Sequence, residues 1–292
     1  MDAPKDRQDF GFIGFGLIGG SIARSLRRLY PDASIMAYNY YKDRPHPKLE
    51  MAAEEGVLSK ISTSLEDFSG CDVVFLCAPV ITNVSYLAQV APYIKESCII
   101  TDVGSVKGNI HKAVKELGLE HNFIGGHPMT GSEKTGYDNS GAEYLEGAYY
   151  ILTPTEETPA EFTGWMKNFV TASGSVCEIM DYATHDMVTA AISHCPHVIA
   201  SSLVNLAANH DRNEDGIYRK LAAGGFKDIT RIASSSPGMW HNICMANPEC
   251  ITTLLDEYIN ILEDIKNAIT TGDDNAIMQF FGNAKQYRDS LQ

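Results

Sequence analysis

The feature that most constrains the fold is a glycine-rich turn close to the N-terminus. A short apolar run ends in the pattern Gly14-x-Gly16-x-x-Gly19, and an amphipathic segment from Ser21 to Leu29 follows at once. In a dinucleotide-binding βαβ unit, the first glycine makes the turn, the second admits a pyrophosphate, and the third lets helix and strand pack closely. The amino end of the helix then faces the phosphates. This pattern predicts a cofactor held against Gly14, Phe15, Gly16, Leu17, Ile18 and Gly19.

The composition and charge exclude several classes of partner. Of the 292 residues, 44% are hydrophobic and 21% are charged, which is typical of a globular protein with a sizeable core. The formal net charge is −14, so the surface as a whole repels nucleic acid and anionic membranes. We therefore expect neither as a partner, and an anionic substrate would need a local basic site.

The sequence also bears on the compartment. The longest apolar stretches are too short or too polar to span a bilayer, and the first residues have no apolar signal core. The seven cysteines are odd in number and form no CxxC pair, and several lie inside apolar runs. We therefore expect reduced, buried thiols in a cytoplasmic protein without a membrane segment.

Apolar, strand-like runs alternate with helical patterns as far as residue 179. This alternation predicts a parallel, doubly wound sheet. From Tyr182 onward the strand signals disappear and the pattern becomes helical. We predict an α/β Rossmann-type doubly wound domain over residues 1–180, followed by an all-α domain over residues 181–292. Long amphipathic helices at the end of the chain would pack on each other or on a second subunit.

The residue at the end of the second predicted strand usually decides between NAD and NADP, and in this chain it leaves both cofactors open. An acidic residue at this position binds the ribose 2′-hydroxyl of NAD, and this chain has Asn39 instead. Asn39 can still bond a ribose, whereas Lys42 or Arg44 could pair with a 2′-phosphate or be solvated loop charges. A later apolar strand stops at Ala78-Pro79, near where the cofactor should lie.

Two further turns hold polar chemistry. Ser105 follows a strand and precedes a helical pattern, so it could be either a helix N-cap or a ligand contact. His127 lies between glycines and a proline at a strand end, which suits a proton-transferring group presented to a cleft. Glu133 and Lys134 could form a surface pair or orient groups in the site.

The helical part has its own candidates. His194 and His197 share a helix face, but no third ligand of matching context follows, so we expect no metal site. These histidines line a substrate pocket or have a structural role. Arg231 lies beyond a glycine pair and could clamp a carboxylate, or could pair with Asp228 on a helix surface. Pro237-Gly238-Met239-Trp240 marks a turn before another helix.

Taken together, these stretches resemble the prephenate and arogenate dehydrogenase family. The resemblance runs over nearly the whole chain, with motifs in matching order at residues 14–21, 102–108, 125–133, 185–197, 224–233 and 237–240. It implies a Rossmann domain followed by a helical domain that forms most of a homodimer interface. It also implies a form without a fused mutase or regulatory domain.

The resemblance implies specific roles. Prephenate would lose a hydride to NAD, or to NADP as the alternative, and then CO2, giving 4-hydroxyphenylpyruvate in tyrosine biosynthesis. His127 would accept the hydroxyl proton and Ser105 would bond in the same cluster. Arg231 would bind a substrate carboxylate. The remaining pocket residues implied by the family are His197, His194, Glu133, which would belong to an ionic network gating the cleft, and Trp240, which would close the pocket wall.

Three alternatives remain at this stage. Arogenate, which carries an amino acid side chain in place of the keto acid, would use the same His127 and Arg231. A hydroxyacid or imine reductase of the same plan commonly uses a lysine on the helical domain. A redox-sensing protein that binds NAD(P) without catalysis would be expected to lack the His127 and Arg231 pair. Asn39 departs from the family's usual pattern and leaves the preference for NAD over NADP open.

Overall fold

The structure is a computed structural model that describes residues 6–40, 46–131, 134–211 and 216–291. Within these residues, its first part is built on one eight-stranded sheet. The strands are β1 (Asp9–Ile13), β2 (Ser34–Tyr38), β3 (Lys60–Ile61), β4 (Val73–Leu76), β5 (Ile99–Asp102), β6 (Phe123–Pro128), β7 (Tyr149–Pro154) and β8 (Val176–Ile179).

The order of the strands identifies a ligand crevice. They are arranged β3-β2-β1-β4-β5-β6-β7-β8, and β1 pairs in parallel with both β2 and β4. The chain therefore leaves β1 toward one edge and crosses to the other side at β4. In doubly wound sheets, ligands bind outside the carboxyl ends of the strands at this switch point. The predicted Rossmann-type class is confirmed.

One strand departs from the parallel arrangement. Strand β7 pairs with β6 in antiparallel fashion, with His127 opposite Ile151. The described residues between the two strands form only short 3-10 turns, so no crossover helix brings the chain back to the starting edge. After β7 a helix does cross over, and β8 is parallel to β7.

In the described part of the chain five helices cover this sheet, and its central strands, such as β4 and β5, are buried on both faces. Phe12 and Phe75 pack in one apolar cluster, while their neighbours Ile13 and Val74 pack in the other. Continuous apolar strands of this kind are expected when helices lie on both sides. The helices are α1 (Leu17–Leu29), α2 (Pro47–Glu54), α3 (Val80–Val90), α4 (Gly108–Glu116) and α5 (Ala160–Ala172).

The remaining part of the chain is helical, and its elements begin directly after β8. They are α6 (Tyr182–Thr189), α7 (Cys195–His210), α8 (Ile217–Leu221), α9 (Gly224–Thr230), α10 (Pro237–Ala246), α11 (Pro248–Thr271) and α12 (Asp274–Ser290). An apolar contact joins the two parts, because Val80 and Val106 from the sheet part pack with Ile243 and Trp240 of α10. The helical class predicted for this part is confirmed.

The first helical run of this part is unusually long. Helix α6, a π-helical turn at Ala190–His194 and α7 form one continuous run of 29 residues, Tyr182–His210. By length and composition this run could cross a membrane, whereas the sequence alone predicted that no apolar stretch of the chain could do so. A core helix passes the same test. The run also contains the buried polar side chains of His185, Asp186 and His194.

The glycine turn shows why the fold requires this sequence. Gly14 has φ +85°, and a Cβ added there would lie 2.5 Å from the Ala78 nitrogen. The turn therefore fits against the loop after β4 only without a side chain. Helix α1 starts at Leu17, earlier than the amphipathic pattern from Ser21 predicts, so Gly19 lies inside it.

The Gly14→Ala variant should lose at least about 2 kcal/mol of unfolding free energy, because the new Cβ meets backbone and the residue keeps a positive φ. Gly164→Ala is the matched control. Gly164 lies within α5, and a Cβ there meets nothing within 4 Å. This variant should gain about 0.5–1 kcal/mol. Urea unfolding of both variants checks the prediction, and equal stabilities would contradict it.

Candidate active site

The amino end of α1 fits a dinucleotide pyrophosphate. Gly16 precedes the helix without a side-chain cap, and the first turn consists of Leu17, Ile18, Gly19 and Gly20. The first intrahelical bond runs from the Gly20 nitrogen to the Gly16 oxygen, so the amide groups before it are available to a ligand. A Cβ built on Gly16 meets nothing within 4 Å, which leaves open space above the turn.

Asn39 is attached to this turn. Its Oδ1 accepts the Phe15 N–H at 2.7 Å, so the side chain fixes the peptide that follows Gly14. The amide oxygen is engaged, and the amino group is the part of Asn39 suited to bond a ribose hydroxyl. Lys42 and Arg44, the residues that favoured NADP, lie outside the described residues.

The loop after β4 closes the other side of the crevice and contains Ala78 and Pro79. A buried residue, Asn83, fixes it: its Oδ1 accepts the Ala78 N–H at 2.9 Å and its Nδ2 donates to the Leu76 oxygen at 3.1 Å. Sequence reasoning missed Asn83. The available signal was an amide in the first turn of a helix that directly follows a strand and a proline, where side chains often bond to nearby backbone.

His127 lies in β6 at the carboxyl edge of the sheet and begins a chain of hydrogen bonds. Its Nδ1 is 2.8 Å from His185 Nε2, and His185 Nδ1 is 2.8 Å from Asp186 Oδ1. Both partners belong to α6 and are buried. The sequence analysis noted these two residues within a motif but assigned them no role. The structure adds them to the candidate site.

Asp186 is held by the other part of the protein. Its Oδ1 accepts the Lys107 N–H at 2.8 Å, and its Oδ2 accepts the Gly108 N–H at 2.7 Å. These groups form the amino end of α4, where an ionised carboxylate is favoured. The N-cap interpretation of Ser105 is therefore wrong: the helix begins at Gly108, and the carboxylate that caps it comes from α6. Contact between Ser105 and His127 stays a prediction.

This chain of bonds determines which nitrogen of His127 carries a proton. Asp186 accepts two main-chain N–H groups, so its carboxylate also accepts from His185 Nδ1, and an imidazole with hydrogen on Nδ1 offers its Nε2 as an acceptor. His127 must then donate from Nδ1, which leaves the lone pair on its Nε2. Burial, together with the nearby cations that His185, Lys107 and His194 can form, holds the pKa of His127 well below its usual range. His127 is thus a neutral imidazole with a basic Nε2.

The π-helical turn collects the polar residues of the long helix on one side. Side chains advance by about 100° per residue in an α-helix, so His185 and His194 would lie on opposite faces of an uninterrupted one. A π turn holds one extra residue, which reduces their separation to about 80°. The amide of Cys195 bonds to the Ala190 oxygen here, and Pro196 has no N–H to restore the α-helical bond.

A second group of candidates lies along the same helix. The His197 ring stacks on Trp240 with 3.8 Å between ring centroids, and its Nδ1 bonds the Ser193 oxygen at 2.9 Å. Burial lowers the pKa of His197, and the charge of Arg231 lowers it further, which shows that Arg231 is near. Arg231 itself is exposed at the start of a 3-10 turn. Glu133 lies outside the described residues.

Two buried polar atoms of this group are suited to a ligand. Among the described residues, His194 Nδ1 and Trp240 Nε1 are buried without a hydrogen-bond partner. Burial lowers the pKa of His194 to about 4, so its ring is neutral at neutral pH. Unpartnered buried polar groups are costly unless something binds them. The described residues contain no group of three or more metal-ligating side chains arranged to hold a metal ion.

Comparison with known proteins identifies the family. The family described as "Prephenate dehydrogenase, nucleotide-binding domain" matches residues 22–179, and "Prephenate dehydrogenase, dimerization domain" matches residues 181–283. The chain belongs to the prephenate dehydrogenase family. The resemblance found in the sequence is therefore confirmed, and the protein is an oxidoreductase of this family. The exact domain boundary near residue 181 stays a prediction.

Individual relatives agree with this assignment. Prephenate dehydrogenase of Bacillus subtilis is 34% identical over 95% of this chain and 74% of its own length. Cyclohexadienyl dehydrogenase of Zymomonas mobilis is 30% identical over 96% of this chain and 94% of its own length. The crystal structure of prephenate dehydrogenase from A. aeolicus, in complex with hydroxyphenyl propionate and NAD+, has a TM-score of 0.89 and 32% identity, and covers 98% of both chains.

Asp186→Asn should reduce kcat by about 10²–10⁴, with little change in KM, because an amide can donate to His185 and reverse both imidazole tautomers. The His127 Nε2 would then carry hydrogen and lose its basic lone pair. Thr189→Val is the control, since it removes a hydrogen bond to the His185 carbonyl on the same helix without touching the chain of bonds. Steady-state kinetics of both variants would refute the tautomer argument if Asp186→Asn kept its kcat.

Proposed function

We propose that the protein oxidises and decarboxylates prephenate to 4-hydroxyphenylpyruvate with NAD as the hydride acceptor, in tyrosine biosynthesis. The observation that carries this proposal is the chain of hydrogen bonds from His127 through His185 to Asp186, at the edge of the sheet where the nucleotide crevice opens. It directs His127 Nε2 outward as a proton acceptor. Oxidation of a carbinol needs such a base for the hydroxyl proton. The family membership and the NAD+ bound in the A. aeolicus relative support the same reaction.

The chemistry is divided between cofactor and protein. When bound, NAD would supply the acceptor for the hydride of the ring's carbinol carbon. His127 Nε2 accepts the hydroxyl proton as that hydride leaves. The ring carboxylate then departs as CO2, its bonding electrons complete the aromatic ring and pass to the former carbinol oxygen, and that oxygen takes the proton back from His127 as the phenol forms. His185 and Asp186 keep the accepting nitrogen of His127 directed outward and stabilise the positive charge that the base acquires.

The remaining residues would bind and orient the substrate. Arg231 would bind a substrate carboxylate through its planar guanidinium group, which an acidic protein needs for a dianion. His194 and Trp240 offer their unpartnered ring nitrogens, and His197 supports the Trp240 ring by stacking. Ser105 would bond the reacting hydroxyl beside His127. Glu133, which lies outside the described residues, keeps its proposed role in an ionic network at the cleft.

Arogenate is the second candidate substrate. The same base and the same carboxylate clamp serve both ring systems, because the two substrates differ only in the side chain. The relative from Zymomonas mobilis is named cyclohexadienyl dehydrogenase, a name that covers the ring type rather than one substrate. A direct comparison of rates is therefore part of the first test.

We further propose that two copies associate through the helical part. Helices α11 and α12 expose large apolar side chains, among them Ile259, Ile261, Leu262, Met278 and Phe281. A mostly apolar cavity of about 830 Å³ also opens between α7, α8 and α9. Exposed apolar surface on this scale marks interaction sites, and the matching family region is described as a dimerization domain.

A cytoplasmic location remains our proposal. All seven cysteines are free thiols, which fits a reducing compartment. The dimer would cover part of the apolar helical surface, including exposed side chains of the long run Tyr182–His210 such as Leu206, and would account for their composition without a membrane.

The first test is a set of initial-rate assays with prephenate or arogenate, each with NAD or NADP, following the absorbance of the reduced cofactor. We expect turnover of prephenate with NAD. His127→Asn should lower kcat by about 10²–10⁴ and change KM little. Cofactor affinity serves as the control for folding. Absence of turnover in every combination, with the cofactor still bound, would favour a redox sensor instead.

Asn39→Asp should increase the preference for NAD. The carboxylate can still accept the Phe15 N–H, but its charge opposes a 2′-phosphate, so KM for NADP should rise about tenfold or more while KM for NAD holds or falls. Asn39→Ala is the control: it frees the Phe15 amide and should weaken both cofactors alike. An unchanged ratio in Asn39→Asp would mean that residues elsewhere decide between the cofactors.

A further inference from the structure

We propose that Lys107, paired with Asp102 beneath the active site, is a positioning residue for His127. The proposal rests on the proposed role of His127 as the base. Lys107 is fully buried, with 0% of its surface exposed, in the loop between β5 and α4. No step of the reaction described above uses its amine. Burying a charged side chain costs desolvation free energy, so its retention at this position needs a physical reason.

The ion pair encloses the peptide groups that precede the base. Lys107 Nζ lies 2.5 Å from both carboxylate oxygens of Asp102 and donates to the Gly126 oxygen at 2.7 Å. Asp102 Oδ1 accepts the Gly126 N–H at 3.2 Å. The pair therefore binds both the N–H and the carbonyl of the residue immediately before His127. These two bonds fix the orientation of the Gly126 peptide groups, and the orientation of the strand end in turn determines where the His127 imidazole points.

Gly126 has no freedom to shift within this enclosure. A Cβ added to it would lie 2.5 Å from the Asp102 main-chain oxygen. Asp102 in turn is anchored by the Gly104 N–H, which donates to its Oδ2 at 2.9 Å. The strand end, the carboxylate and the loop that carries Lys107 thus form one rigid unit.

Lys107 also acts at the opposite end of the hydrogen-bond chain. Its main-chain N–H donates to Asp186 Oδ1, the same oxygen that accepts from His185. One residue therefore locates the strand that carries His127 through its side chain and the relay behind His127 through its backbone. Displacement of this loop would disturb the base from both directions.

The charge of Lys107 bears on the base as well. The groups that face His127 are Lys107, His185 on α6 and His194 in the π-helical turn, with Asp102 and Asp186 behind the first two. After burial and His185, the positive charge of Lys107 is the next contribution that lowers the pKa of His127. The ammonium therefore disfavours a protonated imidazole, which could accept no proton from a substrate.

Stability alone does not account for the pair. Taking two charges out of water offsets most of their attraction, and well-packed neutral replacements of a buried pair are often neutral or stabilising. Removing one partner alone is strongly destabilising. A test must therefore replace both residues together, and the double variant Asp102→Asn/Lys107→Met keeps the shape of each side chain.

The chain provides a matched control pair at the other edge of the same sheet. Lys95 Nζ lies 2.8 Å from Asp72 Oδ1 and 3.1 Å from the Gly70 oxygen, and Asp72 accepts the Gln8 and Asp9 N–H groups. The arrangement repeats that of Lys107, Asp102 and Gly126, but far from His127. The Lys95 and Asp72 side chains are 36% and 21% exposed, whereas Lys107 and Asp102 are buried. The double variant Asp72→Asn/Lys95→Met therefore controls for the chemistry of the substitutions at a pair that does not bond the strand end before His127.

We expect the Asp102→Asn/Lys107→Met variant to fold and bind cofactor, to lose about tenfold to a hundredfold in kcat, and to change KM little. The acid limb of its kcat/KM profile should move to higher pH. Of the two charges removed, Lys107 lowers the pKa of His127, whereas Asp102 is not among the groups that shift this pKa. The control variant should keep the wild-type kcat and profile. A folded Asp102→Asn/Lys107→Met enzyme with wild-type kcat and acid limb would overturn the proposal.

Two further measurements keep the test decisive. If the double variant does not fold, Lys107→Arg is the second test: it keeps a cation beside Asp102 but replaces the single Nζ that bonds both Asp102 and the Gly126 oxygen, so kcat should fall while the acid limb stays in place. NMR titration of the His127 ring in wild type and double variant needs no turnover. If the wild-type protein proves inactive, the proposed function fails, whereas an unchanged His127 titration in the double variant would overturn the role of Lys107.

Discussion

The carboxylate of Asp186 is the contact on which the site depends. It lies on the first helix of the helical part, yet it accepts two main-chain N–H groups at the start of α4 in the sheet part. The same carboxylate accepts from His185, which in turn bonds His127. A single anion thus completes a helix terminus, joins two structural parts and determines the tautomer of the base. The bonds from α4 to Asp186 and from His127 to His185 would be lost if the two parts separated, whereas the bond between His185 and Asp186 lies within α6.

The sequence was sufficient to predict those features of the fold that are determined by a few neighbouring residues. A glycine at positive φ, an apolar run buried on both faces and a histidine at a strand end each have a signature within a few residues. Gly14 and His127 were identified on that basis: Gly14 has a positive φ, and His127 lies near the end of β6. Asn39 was also singled out, but its bond to Phe15 was not foreseen, because the partner lies 24 residues away in the chain.

The features that could not be predicted depend on contacts between distant segments. The cap of α4 comes from a residue 79 positions away from Lys107, so the local pattern suggested Ser105 instead. His185 becomes informative only when β6 is placed beside α6. The π-helical turn is a further case, because one extra residue in a helix changes which side chains share a face while leaving the composition unchanged. A periodicity argument assumes an uninterrupted helix and therefore misplaces His194 relative to His185.

The site also shows how an acidic protein can act on an anion. The net charge of −14 belongs to the chain as a whole. Around His127, by contrast, the carboxylates are neutralised by neighbouring groups and the imidazoles are uncharged. Two of the carboxylates nearest to His127, Asp102 and Asp186, are neutralised by an ammonium group and by a helix terminus. The imidazoles are kept neutral by burial, which lowers the pKa of both His127 and His194. Since burial and neutralisation both require the helical part to lie against the sheet, the neutral state of the His127 imidazole is a property of that interface rather than of the strand that carries it.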